Sequence, residues 1–137
     1  MVGDRWTLLV LREAFLRRRR FDEMQRDLGI ARNILADRLQ RLVAEGLLDC
    51  ERCQDRPERF EYRLTDKGLD LYPALVALMA WGDRHAADDV GPPVELVHRG
   101  CGQVSHPRLA CDRCGEPVGA RDMVARPGPG AALSDVA

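Results

Sequence analysis

The sequence has no apolar run approaching the 18 or so residues needed to cross a bilayer, and no secretory signal opens it. Both gaps exclude membrane roles and make the cytoplasm the expected location. It also has almost no net charge, −1, so bulk electrostatics does not announce a polyanionic partner. Residues 1–64 hold 14 arginines against 12 carboxylates, and residues 65–137 hold 7 basic against 10 acidic side chains. The difference is small, and what matters is where arginines cluster: at Arg17 to Arg20, and around residues 52–59. There is no Gly-rich phosphate loop and no nucleophile with a base at a telling spacing, which leaves an enzyme without machinery. No internal repeat is found. Five cysteines are too odd a number for a closed disulfide framework and point instead to metal binding or thiol chemistry.

What is present is a soluble chain, 45% hydrophobic and 31% charged, sized for one domain with a small appendage. Its centre is Ala31 to Glu45 (ARNILADRLQRLVAE), where Leu35, Leu39, Leu42 and Val43 recur at helical spacing. Asn33, Asp37, Gln40 and Arg41 fall on the opposite side. Gly29 and Gly46 bound this helix, which spans about 21 Å at 1.5 Å per residue and can lie in a major groove.

Around it the chain reads in order. Residues 4–16 form a helix capped by Asp4, with apolar side chains spread over a wide arc. The Arg17 to Arg20 run is a connection or short strand beside a hairpin, and a short amphipathic helix covers about 22–28. Leu47 to Arg52 and Arg59 to Leu64 pair as that hairpin across a charged turn containing Pro57. Thr65 caps a helix over 66–84. There Leu69, Tyr72, Val76 and Met79 form one stripe and Leu71, Leu75 and Leu78 a second, wider together than one packing face needs. The surplus is read as a dimer seam, and Pro73 as a bend or the helix's effective start. Helix, turn, helix, hairpin is the order of a winged helix-turn-helix, so the fold class is α+β.

Residues 86–93 are a boundary by composition, 94–124 a small unit, and 125–137 a Pro/Gly/Ala tail expected to be disordered. In the small unit His98-x2-Cys101 and Cys111-x2-Cys114 are separated by nine residues. Two-residue gaps let both members of a pair converge on one ion near a strand end (VELVH, RLAC), as in a zinc ribbon. Three thiolates and an imidazole close a tetrahedral set, so the expected Zn2+ is structural. His106 is a spare. Cys50 and Cys53 share the spacing but sit on a presumed strand, where residues three apart face opposite ways, and are read as ordinary strand residues.

Three separated motifs then carry a resemblance: Gly3 to Trp6 with the following leucine run, Arg32-Asn33-x-Leu35-x-x-Arg38-Leu39-x-x-Leu42, and Tyr62-x-Leu64-Thr65-x-x-Gly68. Over roughly residues 3–85 the chain resembles the HxlR-type winged helix-turn-helix family of bacterial transcription regulators. The resemblance implies a homodimer that binds duplex operator DNA, most simply as a repressor, often in response to a reactive small-molecule effector. In that pattern a further helix, often with a redox cysteine, precedes the Gly-x-x-Trp segment. Here Gly3 follows Met1 by two residues, so the usual thiol sensor is not expected. Ala31 stands where the pattern commonly has a capping Ser, a difference of about 1 kcal/mol.

In such motifs the N-terminal part of the second helix reads base edges. Arg32 suits guanine, and Asn33 and Gln40 suit adenine. Asp37 lies on the same exposed arc, Arg38 and Arg41 at its margins near phosphates, with an intrahelical or internal ion pair the alternative for Arg38, and Arg56 and Arg59 at the hairpin tip, entering or straddling the minor groove. The alternative reading is a protein-interaction adaptor built from a winged helix and a structural zinc unit.

Overall fold

The computed structural model describes residues 3–55, 58–86 and 90–130. Two compact units emerge, Met1–Gly91 and Pro92–Ala137, the boundary falling inside the segment 86–93. Arg56 and Pro57 of the hairpin turn, 87–89 of the linker and 131–137 of the tail lie outside the described residues.

In the first unit, Asp4 accepts from the Trp6 and Thr7 backbone N–H groups and starts α1 (Arg5–Phe15). α2 (Phe21–Leu28) stops at Gly29, whose φ of 59° is a left-handed turn, and α3 (Arg32–Ala44) follows three residues later. β1 (Leu48–Asp55) and β2 (Glu58–Leu64) form the antiparallel wing. One face of α3 supplies Leu35, Leu39 and Leu42 to a core shared with Val10 and Leu11 of α1, Met24 of α2, Ile30, and Leu47 and Leu48. Each fully buried leucine stabilises the unit by about 1.5–3 kcal/mol. The helix-turn-helix is thereby held from three sides.

Two expectations need correction. The wing is longer than its hydrophobic pattern indicated: β1 runs on through Cys53, Gln54 and Asp55, which sequence reading placed in the turn. A bulge between Arg52 and Gln54 takes up one residue, and Arg52 reaches Asp55 at 3.3 Å and Glu58 at 3.2 Å. Charge pairing along the ladder replaces the β-branched residues that usually mark a strand. The helix expected over 66–84 is two helices, α4 (Asp66–Leu69) and α5 (Tyr72–His85). Pro73 lacks an N–H and sits in the first turn of α5, where none is needed. Thr65 caps α4, its hydroxyl accepting from Gly68 N–H at 3.0 Å.

Gly68 is the tightest joint. A Cβ there would run into the Leu47 carbonyl oxygen and crowd Leu64. Gly68→Ala is therefore expected to cost about 1–3 kcal/mol as overpacking, read as a lowered urea midpoint at unchanged slope; a midpoint like the native chain's would contradict this packing.

The second unit holds β3 (Val97–His98) paired with β4 (Gln103–Val104), and an isolated bridge between Ala110 and Pro117. None of its described residues is buried. The strand expected along RLAC is reduced to that single bridge.

Candidate nucleic-acid interface

The reading face of α3 is open. Arg32, Asn33 and Gln40 are exposed, and the Arg32 side chain is 73% accessible. Its guanidinium lies 4.7 Å over the Phe21 ring and 3.9 Å from Asp22, so α2 holds it in place without covering it. Ala31 makes no side-chain cap, leaving the first N–H groups of α3 free of that partner.

Of the two readings open for Arg38, a phosphate contact and an internal ion pair, the structure has the ion pair. Its Nε donates to Asp4 at 2.9 Å and its Nη1 to Asp37 at 2.6 Å, with the side chain only 19% accessible. It therefore ties the start of α1 to α3, across 34 residues. Burial raises the Asp4 carboxyl, but the Thr7 and Trp6 N–H groups and the Arg38 guanidinium outweigh it and hold the group below its ordinary value. Asp37 is likewise a positioning residue rather than a base reader: it takes Arg38 on one side and Arg41 Nε at 3.1 Å on the other. Arg41 remains 70% accessible, aimed along the helix edge.

Arg59 stands on the same side as Arg32. A cleft of about 560 Å³ between α2, α3 and β2 is lined by Arg20, Arg26, Arg32 and Arg59, by the carboxylates Asp22, Glu23 and Glu58, and by Phe21, Phe60 and Tyr62. The cleft exists because the basic run is stitched to the wing: Tyr62 N–H donates to the Arg19 carbonyl at 2.8 Å, and Arg20 bridges to Glu61. Glu23 accepts from the Arg19 and Arg20 backbone N–H groups, closing the capping box at the head of α2. Arg20 and Arg26 were missed as individual site residues. The arginine run was the signal for Arg20; no spacing in the sequence points to Arg26. Arg56 lies outside the described residues.

This arrangement can grip a duplex through two elements at once, a helix end carrying bidentate side chains and, beside it, a cleft in which four arginines stand against three carboxylates. A model of the HxlR-like helix-turn-helix family matches residues 1–90. The chain belongs to this family. It is thus a DNA-binding transcriptional regulator. Over 130 residues it is 51% identical to an uncharacterised HTH-type transcriptional regulator of Mycobacterium tuberculosis H37Rv, covering 95% of this chain and 82% of that protein. Among solved structures, the candidate transcription factor PA1607 matches with a TM-score of 0.79 at 39% identity, over 91% of this chain and 87% of its own. PA1374 of Pseudomonas aeruginosa matches at 0.69 and 38%, over 97% and 90%. Such coverage exceeds what residues 1–91 supply, so both matches reach into the second unit. No helix among the described residues of this HxlR-type regulator is long and apolar enough to cross a membrane.

The cysteines fall into two groups. Cys50 and Cys53 are exposed on β1; the bulge falls at Cys53, whose thiol lies 3.4 Å from the Arg59 carbonyl. Burial, with Cys50 alongside, pushes the Tyr62 phenol above its ordinary range. In the second unit, His98 Nδ1 lies 3.4 Å from Cys101 Sγ, and the Cys114 and Arg113 N–H groups lower the Cys111 thiol. The four expected ligands are thus brought together as pairs. Among the described residues no three His, Cys, Asp or Glu side chains gather around one centre, so the two pairs stand apart from each other. His106 is exposed.

Proposed function

We propose that this regulator is a homodimeric repressor that sets α3 of each protomer in successive major grooves of an operator. Arg32 and Asn33 read base edges, Gln40 reads further along, and Arg41, Arg59 and Arg20 meet phosphates. The observation that carries the reading is that Arg32 and Arg59, from different elements, line one exposed cleft. Half-sites about 34–36 Å apart place such a dimer over two turns of DNA, enough to obstruct a promoter.

The dimer rests on α5. Its Leu75 and Val76 are buried, but Leu78 and Trp81 are 53% and 58% exposed, and Tyr72 is 41% exposed. A groove of about 280 Å³ between α1 and α5, lined by Leu8, Leu9, Leu75, Leu78 and Met79 and flanked by Arg5 and Arg12, continues this apolar surface. A second copy of the same face is the self-complementary way to cover it.

A gel shift with the DNA upstream of the gene tests the reading. Saturable binding that survives excess unrelated duplex supports it, and binding no tighter than to unrelated duplex overturns it in favour of a protein-interaction role. In the same assay, Arg20→Ala with Arg59→Ala is expected to weaken binding to every sequence. It should also flatten the logarithmic salt dependence by about 0.9 for each phosphate no longer neutralised. An unchanged slope would remove the cleft from the DNA-binding surface.

A further inference from the structure

The second unit is built twice from one pattern. Leu96-Val97-His98-x-x-Cys101-Gly102 and Leu109-Ala110-Cys111-x-x-Cys114-Gly115 are offset by 13 residues, a repeat invisible in the bare sequence because few residues match. The backbone makes it plain. Ser105 N–H donates to the Leu96 carbonyl, and Val118 N–H to that of Leu109. Val97 pairs with Val104, and Ala110 with Pro117. Gly102 N–H closes on the His98 carbonyl at 2.8 Å, and Gly115 N–H on that of Cys111 at 2.9 Å. The two glycines share a left-handed φ, 70° and 76°. Each of these features of the first turn has its counterpart 13 residues on.

Each turn presents two metal-binding side chains at corresponding places. In a tetrahedral site with Zn–N about 2.05 Å and Zn–S about 2.3 Å, nitrogen and sulfur ligands stand about 3.5 Å apart; His98 Nδ1 and Cys101 Sγ are at 3.4 Å. Gly100 leaves room for the imidazole, since a Cβ there would lie 2.9 Å from His98 Cε1. Arg113 N–H points at Cys111 Sγ at 3.5 Å, a bond that suits a ligating sulfur. Yet two-residue strands do not hold on their own, and none of the described residues here is buried. Something other than a hydrophobic core must hold the unit together.

We propose that one zinc ion per chain, bound by His98, Cys101, Cys111 and Cys114, closes the two turns on each other and holds the second unit folded. With four protein ligands the ion is structural. The proposal is independent of the DNA reading, which concerns residues of the first unit only.

The test is metal analysis of the full chain, purified without a histidine tag, with cobalt substitution as a spectroscopic check. One zinc per chain is expected, replaced by cobalt with the visible bands of a tetrahedral, thiolate-rich site. Cys111→Ser with Cys114→Ser, and separately Cys101→Ser, should each bring the content to near zero, while Cys50→Ser with Cys53→Ser leaves it at one. Gly100→Ala should weaken zinc retention against a chelator by pushing the imidazole aside, a variant that spares all four ligands. Native protein free of zinc, half an equivalent shared between chains, a Cys111–Cys114 disulfide in its place, or zinc retained in full by either ligand variant would each overturn the proposal.

Discussion

Alanine in place of both Arg32 and Asn33 is expected to lower operator affinity roughly a thousand-fold while leaving the fold intact. A bidentate base contact is worth about 1–3 kcal/mol. Two such contacts in each half-site therefore come to about 4 kcal/mol for a dimer at the low end, near three decades of affinity. Binding to unrelated duplex should fall far less, because Arg20, Arg41 and Arg59 still meet the backbone. Stability should barely move: Arg32 is exposed, and its ion pair with Asp22 is long, at 3.9 Å between side chains 73% and 90% accessible. Exposed pairs of that kind contribute about 0–1 kcal/mol. Fluorescence anisotropy against operator and scrambled DNA, with thermal melts alongside, separates the two effects. An equal loss on both DNAs would mean that the α3 N-terminus only grips phosphates.

Glutamate at both Leu78 and Trp81 is expected to produce a folded monomer whose operator affinity is lower by about 10²–10⁴. Linking two half-site readers turns the second binding event into an intramolecular one, and the gain of that order disappears when the link is cut. Both side chains are more than half exposed in the single chain, so charge there does not enter the core formed by Leu75 and its neighbours. Sedimentation equilibrium reads the mass, and a gel shift reads the affinity. A variant that still sediments as a dimer would place the seam elsewhere, with the α5 face then an ordinary surface.

The helix-turn-helix was legible because its signals are local. Leucines at helical spacing, Asp4 and Thr65 as caps, and Gly29 as a stop each act within one turn of chain, and each is found in that role. Tertiary pairings were not legible. Arg38 could be placed at the margin of the exposed arc but not assigned between a phosphate and an internal ion pair; Asp4, brought near by α1 packing on α3, claims its guanidinium. The extension of β1 escaped because Cys53, Gln54 and Asp55 include no β-branched or aromatic side chain, and it is cross-strand partners and a bulge, not β propensity, that keep them extended. The duplicated turns of the second unit were hidden for a related reason: backbone hydrogen bonds and two left-handed glycines carry the repeat, while the side chains differ at most positions.

The reading of DNA by the head of α3 can be tested at a single atom. In a cycle crossing Arg32→Ala with operators in which each guanine in turn is replaced by 7-deazaguanine, loss of one guanine N7 should cost the native protein about 1 kcal/mol or more and cost the Arg32→Ala protein nothing further. Penalties that add at every guanine would mean that Arg32 touches no base edge, and the placement of α3 in the major groove would fall with it.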